Sequence, residues 1–185
     1  MMVLLKEQSF QSRCEKSDQI HQRLMGLEES KRAGIIFCYV SLDYEVNTKR
    51  LIDRLLGLDK RVVVPFISKE HGRAGELLAS EVRDYFSELE TGPFGIWQPK
   101  RNFLRPIEPS CLEMAVIPGI AFDHQCHRLG HGKGYFDRFL LKLRQTCPKV
   151  GICFDFQRVR QLPHELHDIP MDLVVTNRET IRIKG

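Results

Sequence analysis

The chain has 185 residues, 42% of them hydrophobic, which is enough for one compact domain whose core needs neither disulfides nor a structural metal. Its 28 Lys and Arg residues against 24 Asp and Glu residues give a formal charge of +4, spread along the chain and not gathered in a basic run. This distribution favours small anionic molecules over nucleic acid as partners, since the best candidate groove, residues 100–105, has three basic residues beside Phe103.

The six cysteines form no CxxC pair and no close framework spacing, which is typical of reduced thiols in a cytosolic chain. The apolar stretch at the start is too short for a signal-peptide core, and no segment approaches the length that spans a bilayer. We therefore expect a cytoplasmic protein, a monomer or weak homo-oligomer, with no membrane or nucleic-acid partner.

The first predicted elements are helical. Phe10, Cys14, Ile20 and Leu24 recur at helical spacing, and Ser17 or Asp18 is suited to cap a second helix after a break. Apolar runs of strand length follow at 34–40 and 61–65, with an amphipathic stretch at 48–56 between them. This strand, helix, strand order is typical of a mostly parallel sheet covered by helices on both faces.

The later elements continue the same α/β pattern. A weaker signal over 75–83 predicts a strand in an antiparallel excursion, and runs at 114–119, 150–154 and 173–175 predict three more strands. The segment after Gly134 predicts a helix with Phe139, Leu140 and Leu143 on one side. We expect a single α/β domain over residues 1–185.

The strongest chemical signal is a glycine-rich loop between a predicted strand and a predicted helix, with Gly130, Gly132 and Gly134 at alternate positions. Such a loop can bring backbone N–H groups against phosphate oxygens, and Arg128 and Lys133 would add positive charge. The GxGxG spacing matches neither the Walker A motif nor the dinucleotide fingerprint. Spacing alone therefore leaves a phosphate site and a tight turn as alternatives.

Asp137 lies just inside the predicted helix, where a carboxylate could carry Mg²⁺ beside bound phosphates. It could equally match the positive charge of the helix start. Glu45, after the first strand, is either a ligand-binding carboxylate at the mouth of the sheet or an ordinary exposed loop acid. Asp168 is either a metal ligand or a turn residue near Pro170.

The glycine-rich region contains several short motifs, and further motifs lie before and after it along the chain. They are Tyr39, Glu45 to Thr48, Gly92 to Ile96, Gln98-Pro99, Pro118-Gly119, Ala121 to Asp123, Arg128 to Gly130, Gly132, Gly134-Tyr135, Asp137-Arg138, Phe154 to Gln157, Leu162-Pro163, His167-Asp168 and Asp172. Together they resemble the 5-formyltetrahydrofolate cyclo-ligase family over nearly the whole chain. The resemblance implies a Rossmann-like fold of the NagB/RpiA/CoA-transferase type.

The resemblance also implies an activity: closure of 5-formyltetrahydrofolate to 5,10-methenyltetrahydrofolate, with ATP as co-substrate, Mg²⁺ as cofactor, and release of ADP and phosphate after phosphorylation of the formyl oxygen. The implied catalytic residues are Arg128, Lys133 and Tyr135, and the implied metal ligands are Asp137 and Asp168. The implied ATP contacts are Lys6, Arg128, Leu129, Gly130, His131, Gly132, Lys133, Gly134, Tyr135 and Phe136. The implied folate contacts are Val40, Glu45, His131, Gly132, Lys133, Gly134 and Tyr135.

Two positions depart from the family pattern. Met2 stands where the family has a lysine, four residues before the basic position matched by Lys6, and Phe136 replaces a tyrosine found in many relatives. Met2 leaves open a repurposed or inactive relative that binds a nucleotide or folate without turnover. A zinc site is another alternative, since His124, Cys126, His127 and His131 are suitable ligands, although all four lie in one loop without a distant second pair.

Overall fold

The computed structural model describes residues 1–68, 75–165 and 168–183. His167, one of the residues that carry the family resemblance, lies outside the described residues. The strands, numbered in chain order, are β1 Ile35–Cys38, β2 Arg61–Ser68, β3 Glu76–Val82, β4 Leu89–Thr91, β5 Trp97–Pro99, β6 Met114–Ile117, β7 Ala121–Phe122, β8 Arg128–Leu129, β9 Lys149–Ile152, β10 Leu173–Val175 and β11 Thr180–Arg182. The helices are α1 Met2–Glu7, α2 Phe10–Gly26, α3 Glu28–Arg32, α4 Thr48–Leu56, α5 Tyr85–Glu88 and α6 Tyr135–Leu140, with short 3₁₀ turns at Pro93–Gly95, Arg101–Phe103, Pro109–Cys111 and Asp155–Gln157.

The main sheet has seven strands in the order β11, β10, β9, β6, β1, β2, β3. The five inner strands are parallel, and the two edge strands run antiparallel to them. The predicted antiparallel excursion is confirmed, because β3 pairs with β2 over seven residues. The other edge strand, β11, was not predicted.

Each face of the sheet has its own apolar core, because side chains alternate along a strand. Ile36 and Cys38 of β1 pack in the cluster that contains the buried residues of α1, α2 and α4. Phe37, between them, packs in the opposite cluster with Phe122 and with Phe139 of α6. The predicted arrangement, a mostly parallel sheet with helices on both faces, is confirmed.

The predicted break in the first helical region is wrong. A single helix, α2, runs through both candidate caps, and Ser9 is its N-cap, accepting a hydrogen bond from the Ser12 amide at 3.2 Å. The Ser17 hydroxyl instead donates to the Arg13 carbonyl one turn earlier at 2.7 Å and accepts from the Asn47 amide at 3.1 Å. Ser17 therefore ties α2 to the start of α4.

The glycine-rich region also differs from its prediction. Two two-residue strands, β7 and β8, form an antiparallel hairpin between β6 and the glycines. The following helix is shorter than expected, because α6 ends at Leu140 and Leu143 lies in the turn after it. Arg128 therefore lies in a hydrogen-bonded hairpin and not in a free loop.

The chain reverses its direction of winding at β1. From β1 it proceeds to β2 on one side, and it later returns to β6 on the other side and continues to β9. Ligands of open parallel sheets bind beside the carboxyl ends of strands at such a switch point. Residues that follow β1 and β6 are therefore expected to form a binding site.

Candidate active site

A cavity of about 520 Å³ opens at the carboxyl ends of β1 and β6. Its lining is Tyr39, Val40, Leu42, Tyr44, Glu45, Pro65, Ile67, Leu77, Ile96, Gln98, Pro118, Gly119, Arg128 to Asp137, Pro163 and Asp168. All the predicted site residues except Lys6 belong to this lining. Segments that are far apart in sequence thus meet at the carboxyl ends of the central strands, where a binding site is expected.

Lys6 lies next to the cavity and not in its lining. It is exposed on α1, and its Nζ lies 5.9 Å from the centre of the Tyr44 ring, which itself lines the cavity. Met2 lies on the same short helix. The N-terminal helix therefore borders the site.

The glycine loop forms one wall of the cavity. Gly132 and Gly134 have φ values of +74° and +63°, a left-handed backbone conformation that residues with a Cβ rarely adopt. Gly130 is needed for space, because a Cβ there would lie 2.5 Å from Nη1 of Arg128. The loop thus combines a turn that requires glycine with a close approach to a cationic side chain.

Arg128 is held in place before any ligand arrives. Its side chain is 5% exposed, its Nη2 donates to Oδ1 of Asp137 at 2.7 Å, and its guanidinium lies 5.6 Å from the centre of the Phe136 ring. Its buried Nε has no hydrogen-bond partner among the described residues. The Phe136 ring thus supports Arg128 through its aromatic face, which needs no hydroxyl.

The cationic surroundings also affect His131. Burial lowers the pKa of its imidazole, and the positive charges of Lys133 and Arg128 lower it further. His131 is therefore neutral at pH 7, so it adds a hydrogen-bonding group to the loop without adding charge.

Glu45 also lines the cavity and is half-buried, so the interpretation as an ordinary exposed loop acid is wrong. Burial raises the pKa of its carboxyl from 4.5 to about 7, although the Leu42 amide, which donates to Oε2 at 2.9 Å, opposes this. A carboxylate with such a pKa is poorly solvated and gains from a ligand with N–H donors.

Asp137 and Asp168 both line the cavity. Oδ1 of Asp137 is paired with Arg128, and Oδ2 of Asp168 accepts a hydrogen bond from the Glu165 amide at 2.8 Å. Asp168 therefore lies in a turn and Asp137 in the first turn of α6, and both are also placed at the cavity. Two carboxylates that line the same cavity suit Mg²⁺, which takes one or two carboxylates and completes its shell with phosphate oxygens and water.

The hairpin that carries Arg128 is anchored by Asp123, whose side chain is almost fully buried. Its Oδ1 accepts from the amides of Gln125 and His127, both at 2.9 Å, and its Oδ2 accepts from the Leu162 amide at 3.1 Å. Burial raises the pKa of this carboxyl, but these hydrogen bonds outweigh it and the net pKa is lowered. Asp123 thus joins the hairpin to the segment that contains Pro163.

The possible zinc ligands do not converge. The His127 ring contacts Asp123 and stacks on His164 at 3.8 Å, His124 lies beside Arg158, and Cys126 is buried in the core. Within 1–68, 75–165 and 168–183, no group of three or more His, Cys, Asp or Glu side chains could hold a metal ion. These contacts do not favour the zinc hypothesis.

Sequence reasoning missed the apolar wall formed by Pro65, Ile67 and Leu77, at the far end of the β2–β3 pair. Leu77 is buried in β3, but the weak strand signal over 75–83 cannot show which neighbours such a residue meets. Tyr44 and Leu42 were also missed.

Comparison with known proteins shows the family of the chain. The model of the 5-formyltetrahydrofolate cyclo-ligase family matches residues 1–177. The chain belongs to this family. The 5-formyltetrahydrofolate cyclo-ligase of Escherichia coli strain K12 is 34% identical over 164 residues, covering 88% of each chain. That of Haemophilus influenzae is 32% identical over 158 residues, covering 84% of this chain and 83% of the relative.

Solved structures confirm the cyclo-ligase fold. The structure of Aquifex aeolicus 5,10-methenyltetrahydrofolate synthetase matches with a TM-score of 0.80 and 29% identity, covering 96% of this chain and 86% of that one. The synthetase of Mycoplasma pneumoniae matches with a TM-score of 0.73 at 22% identity, which supports the fold alone. Among the described residues, no helix has the length and apolarity needed to cross a membrane.

Proposed function

We propose that this chain is an ATP-dependent 5-formyltetrahydrofolate cyclo-ligase, which forms 5,10-methenyltetrahydrofolate and releases ADP and phosphate. Family membership supports the reaction. The observation that carries its assignment to this site is the cavity of about 520 Å³, whose lining combines apolar side chains, Glu45 and a cationic glycine loop. This volume is within the range of small-molecule sites.

The reaction needs no nucleophile from the protein. The formyl oxygen attacks the γ-phosphorus of ATP, a new O–P bond forms, and the bond to the β-phosphate oxygen breaks to release ADP. The neighbouring folate nitrogen then attacks the activated formyl carbon, loses its proton, and the oxygen leaves as phosphate. The task of the protein is to align the two substrates and to neutralise charge on the phosphoryl group during its transfer.

We assign that task to the loop wall. Arg128 is already held at the cavity surface, so little ordering is needed when it meets an anionic oxygen. Lys133 adds a second cation, and loop amides add donors at short range. The Tyr135 hydroxyl and the neutral His131 imidazole are placed to contact either substrate, and Leu129 and Phe136 provide apolar surface for the nucleotide.

Mg²⁺ would be held by Asp137 and Asp168 and would supply further neutralisation of the phosphate charge. Since Asp137 is paired with Arg128 in the ligand-free site, both would face the same phosphate group. Lys6 contributes positive charge from the border of the cavity. Met2 removes one cation from α1, and Lys6, Arg128 and Lys133 remain at or beside the site.

Glu45 binds the pterin ring, with Val40 packing beside it. A carboxylate accepts paired hydrogen bonds from the N–H donors of an aminopterin edge, and its placement after β1 puts it at the switch point of the sheet. The alternative of a relative without turnover gains no support from the comparisons, since the matched relatives above are named as cyclo-ligases.

All six cysteines are free, and four of them are buried, which suits a reducing compartment. We propose a cytoplasmic protein on this ground, active as a monomer or weak homo-oligomer because the cavity is formed within one chain.

The direct test is an assay with 5-formyltetrahydrofolate, ATP and Mg²⁺, in which the absorbance of the methenyl product is monitored. We expect product only when all three are present. The matched variant is Asp137→Asn, which keeps an oxygen to accept from Arg128 but removes the charge that would hold the metal. We expect its kcat to fall about 100-fold or more, with folate affinity within about twofold of wild type.

A wild-type protein that binds both substrates without forming product would contradict the proposed function. Wild-type turnover in Asp137→Asn would contradict only the role of Asp137 in metal binding. Thermal melting of both proteins checks that the variant is folded.

A further inference from the structure

One polar side chain interrupts the apolar wall of the cavity. Gln98 lies on β5 and lines the cavity with Pro65, Ile67 and Ile96. Its neighbour Trp97 is directed to the other face of the hairpin, where its ring stacks against Tyr85 at 6.2 Å. Neither residue has a role in the function proposed above.

The orientation of the Gln98 amide is determined by its contact with β2. Oε1 accepts a hydrogen bond from the backbone N–H of Ile67 at 3.3 Å, and only the oxygen of the amide can do this. Among the described residues, the hydrogen bond to Ile67 is the one that the Gln98 side chain makes, so its Nε2 group donates to none of them. Because the side chain lines the cavity, the group left for a ligand is a donor.

The hairpin also keeps space for this side chain. A Cβ at Gly92 would lie 2.5 Å from Cδ and 2.6 Å from Cγ of Gln98. Gly92 turns back through a hydrogen bond from its amide to the Ile96 carbonyl at 2.8 Å. The turn therefore places Gln98 against β2 without a competing side chain.

We propose that Gln98 determines folate specificity by donating a hydrogen bond from Nε2 to a carbonyl oxygen of the reduced folate. This inference rests on the proposed function. The apolar residues beside Gln98 suit the flat ring system, whereas the proposed function assigns the phosphates to the cationic loop. When ionised, the Glu45 carboxylate can only accept hydrogen bonds, so it recognises N–H groups. Recognition of a carbonyl oxygen needs a hydrogen-bond donor that is held in place.

The test uses two substitutions that remove the donor in different ways. Gln98→Glu keeps an oxygen for the Ile67 amide and replaces only the NH₂ group. Gln98→Met has similar length, carries no charge and has no amide. We expect both to raise the KM for 5-formyltetrahydrofolate and its dissociation constant without ATP by about tenfold or more, since a buried acceptor loses its partner.

A purely structural role would alter other quantities as well. We therefore expect the KM for ATP of both variants and the melting temperature of Gln98→Glu to stay near wild-type values, whereas Gln98→Met should melt somewhat lower because the Ile67 amide loses its acceptor. Gln145→Glu is the matched control, because Gln145 is exposed and outside the cavity lining, and it should change none of these values.

The outcomes separate the inference from the function on which it rests. Normal folate binding by Gln98→Met, or equal weakening of folate and ATP, would overturn the role of Gln98 while wild-type product formation stands. A wild-type protein that does not bind folate would overturn both.

Discussion

Glu45 illustrates how a residue proposed to bind substrate can lower the stability of the protein that carries it. The ligand-free cavity raises the pKa of its carboxyl from 4.5 to about 7, chiefly through burial. A folded-state pKa above the unfolded value means that the folded protein binds more protons between the two values. Stability therefore decreases as pH rises from about 4.5 to about 7 and stays reduced above that range.

Glu45→Gln should remove this cost. We expect the variant to be more stable than wild type at pH 8, by roughly 3 kcal/mol at most, and equally stable at pH 4, because Gln carries no charge but still accepts from the Leu42 amide. Urea unfolding at the two pH values measures the difference. Folate affinity of the variant at pH 8 should fall, since the carboxylate partner of the N–H donors is lost.

Glu108→Gln, at an exposed acid, should show neither effect. A stability difference for Glu45→Gln that is the same at pH 4 and pH 8 would contradict the assigned titration.

At the level of single residues, sequence found the charged members of the site better than the apolar ones. Arg128, Glu45 and Asp137 are charged residues within recognisable motifs, so they could be named as candidates. Gln98 was part of a recognised motif, but its orientation depends on a hydrogen bond to Ile67. A contact between residues that are 31 positions apart has no local signal in the sequence.

Among the elements, the hairpin β7–β8 and the loop after it determine where the cations lie. The hairpin is anchored by Asp123, and the loop begins at Gly130, beside the Arg128 guanidinium. Because this packing leaves no space for a Cβ at Gly130, the position of the guanidinium depends on the loop backbone.

Gly130→Ala tests this dependence. A Cβ placed 2.5 Å from Nη1 should displace the guanidinium, and a displacement of about 1 Å can reduce rates by about 100-fold. We expect kcat/KM for ATP to fall by about tenfold or more, whereas the dissociation constant for folate, measured without ATP, should hardly change.

Gly26→Ala is the control, because nothing lies within 4 Å of a Cβ at that position at the end of α2. Wild-type ATP kinetics in Gly130→Ala would show that Arg128 does not need this close contact.

Elements with several residues of regular pattern were predictable, and very short ones were not. The strand β3 and the amphipathic helix α4 lie within the spans predicted for them. The two-residue strands β7 and β8 are too short to have a period, and their pairing depends on the buried carboxylate of Asp123. The false helix break has the same origin, since a serine that could cap a helix bonds elsewhere in the fold.

On the scale of the whole molecule, the sheet topology explains why distant segments share one cavity. The carboxyl ends of β1 and β6 are adjacent because these strands pair in parallel, and the chain winds away from them in opposite directions. Buried apolar runs predicted the parallel centre of the sheet. Strand order and the edge strand β11 could not be read from them, since periodicity does not specify neighbours.

The central claim is that this cavity holds both substrates, with the nucleotide phosphates on the glycine loop and the pterin beside Glu45. A crystal structure with a non-hydrolysable ATP analogue, Mg²⁺ and 5-formyltetrahydrofolate tests it most directly. The account predicts triphosphate oxygens within hydrogen-bonding distance of Arg128 and the amides of residues 130–134, and the pterin edge against Glu45. A triphosphate bound away from residues 128–137 would contradict it.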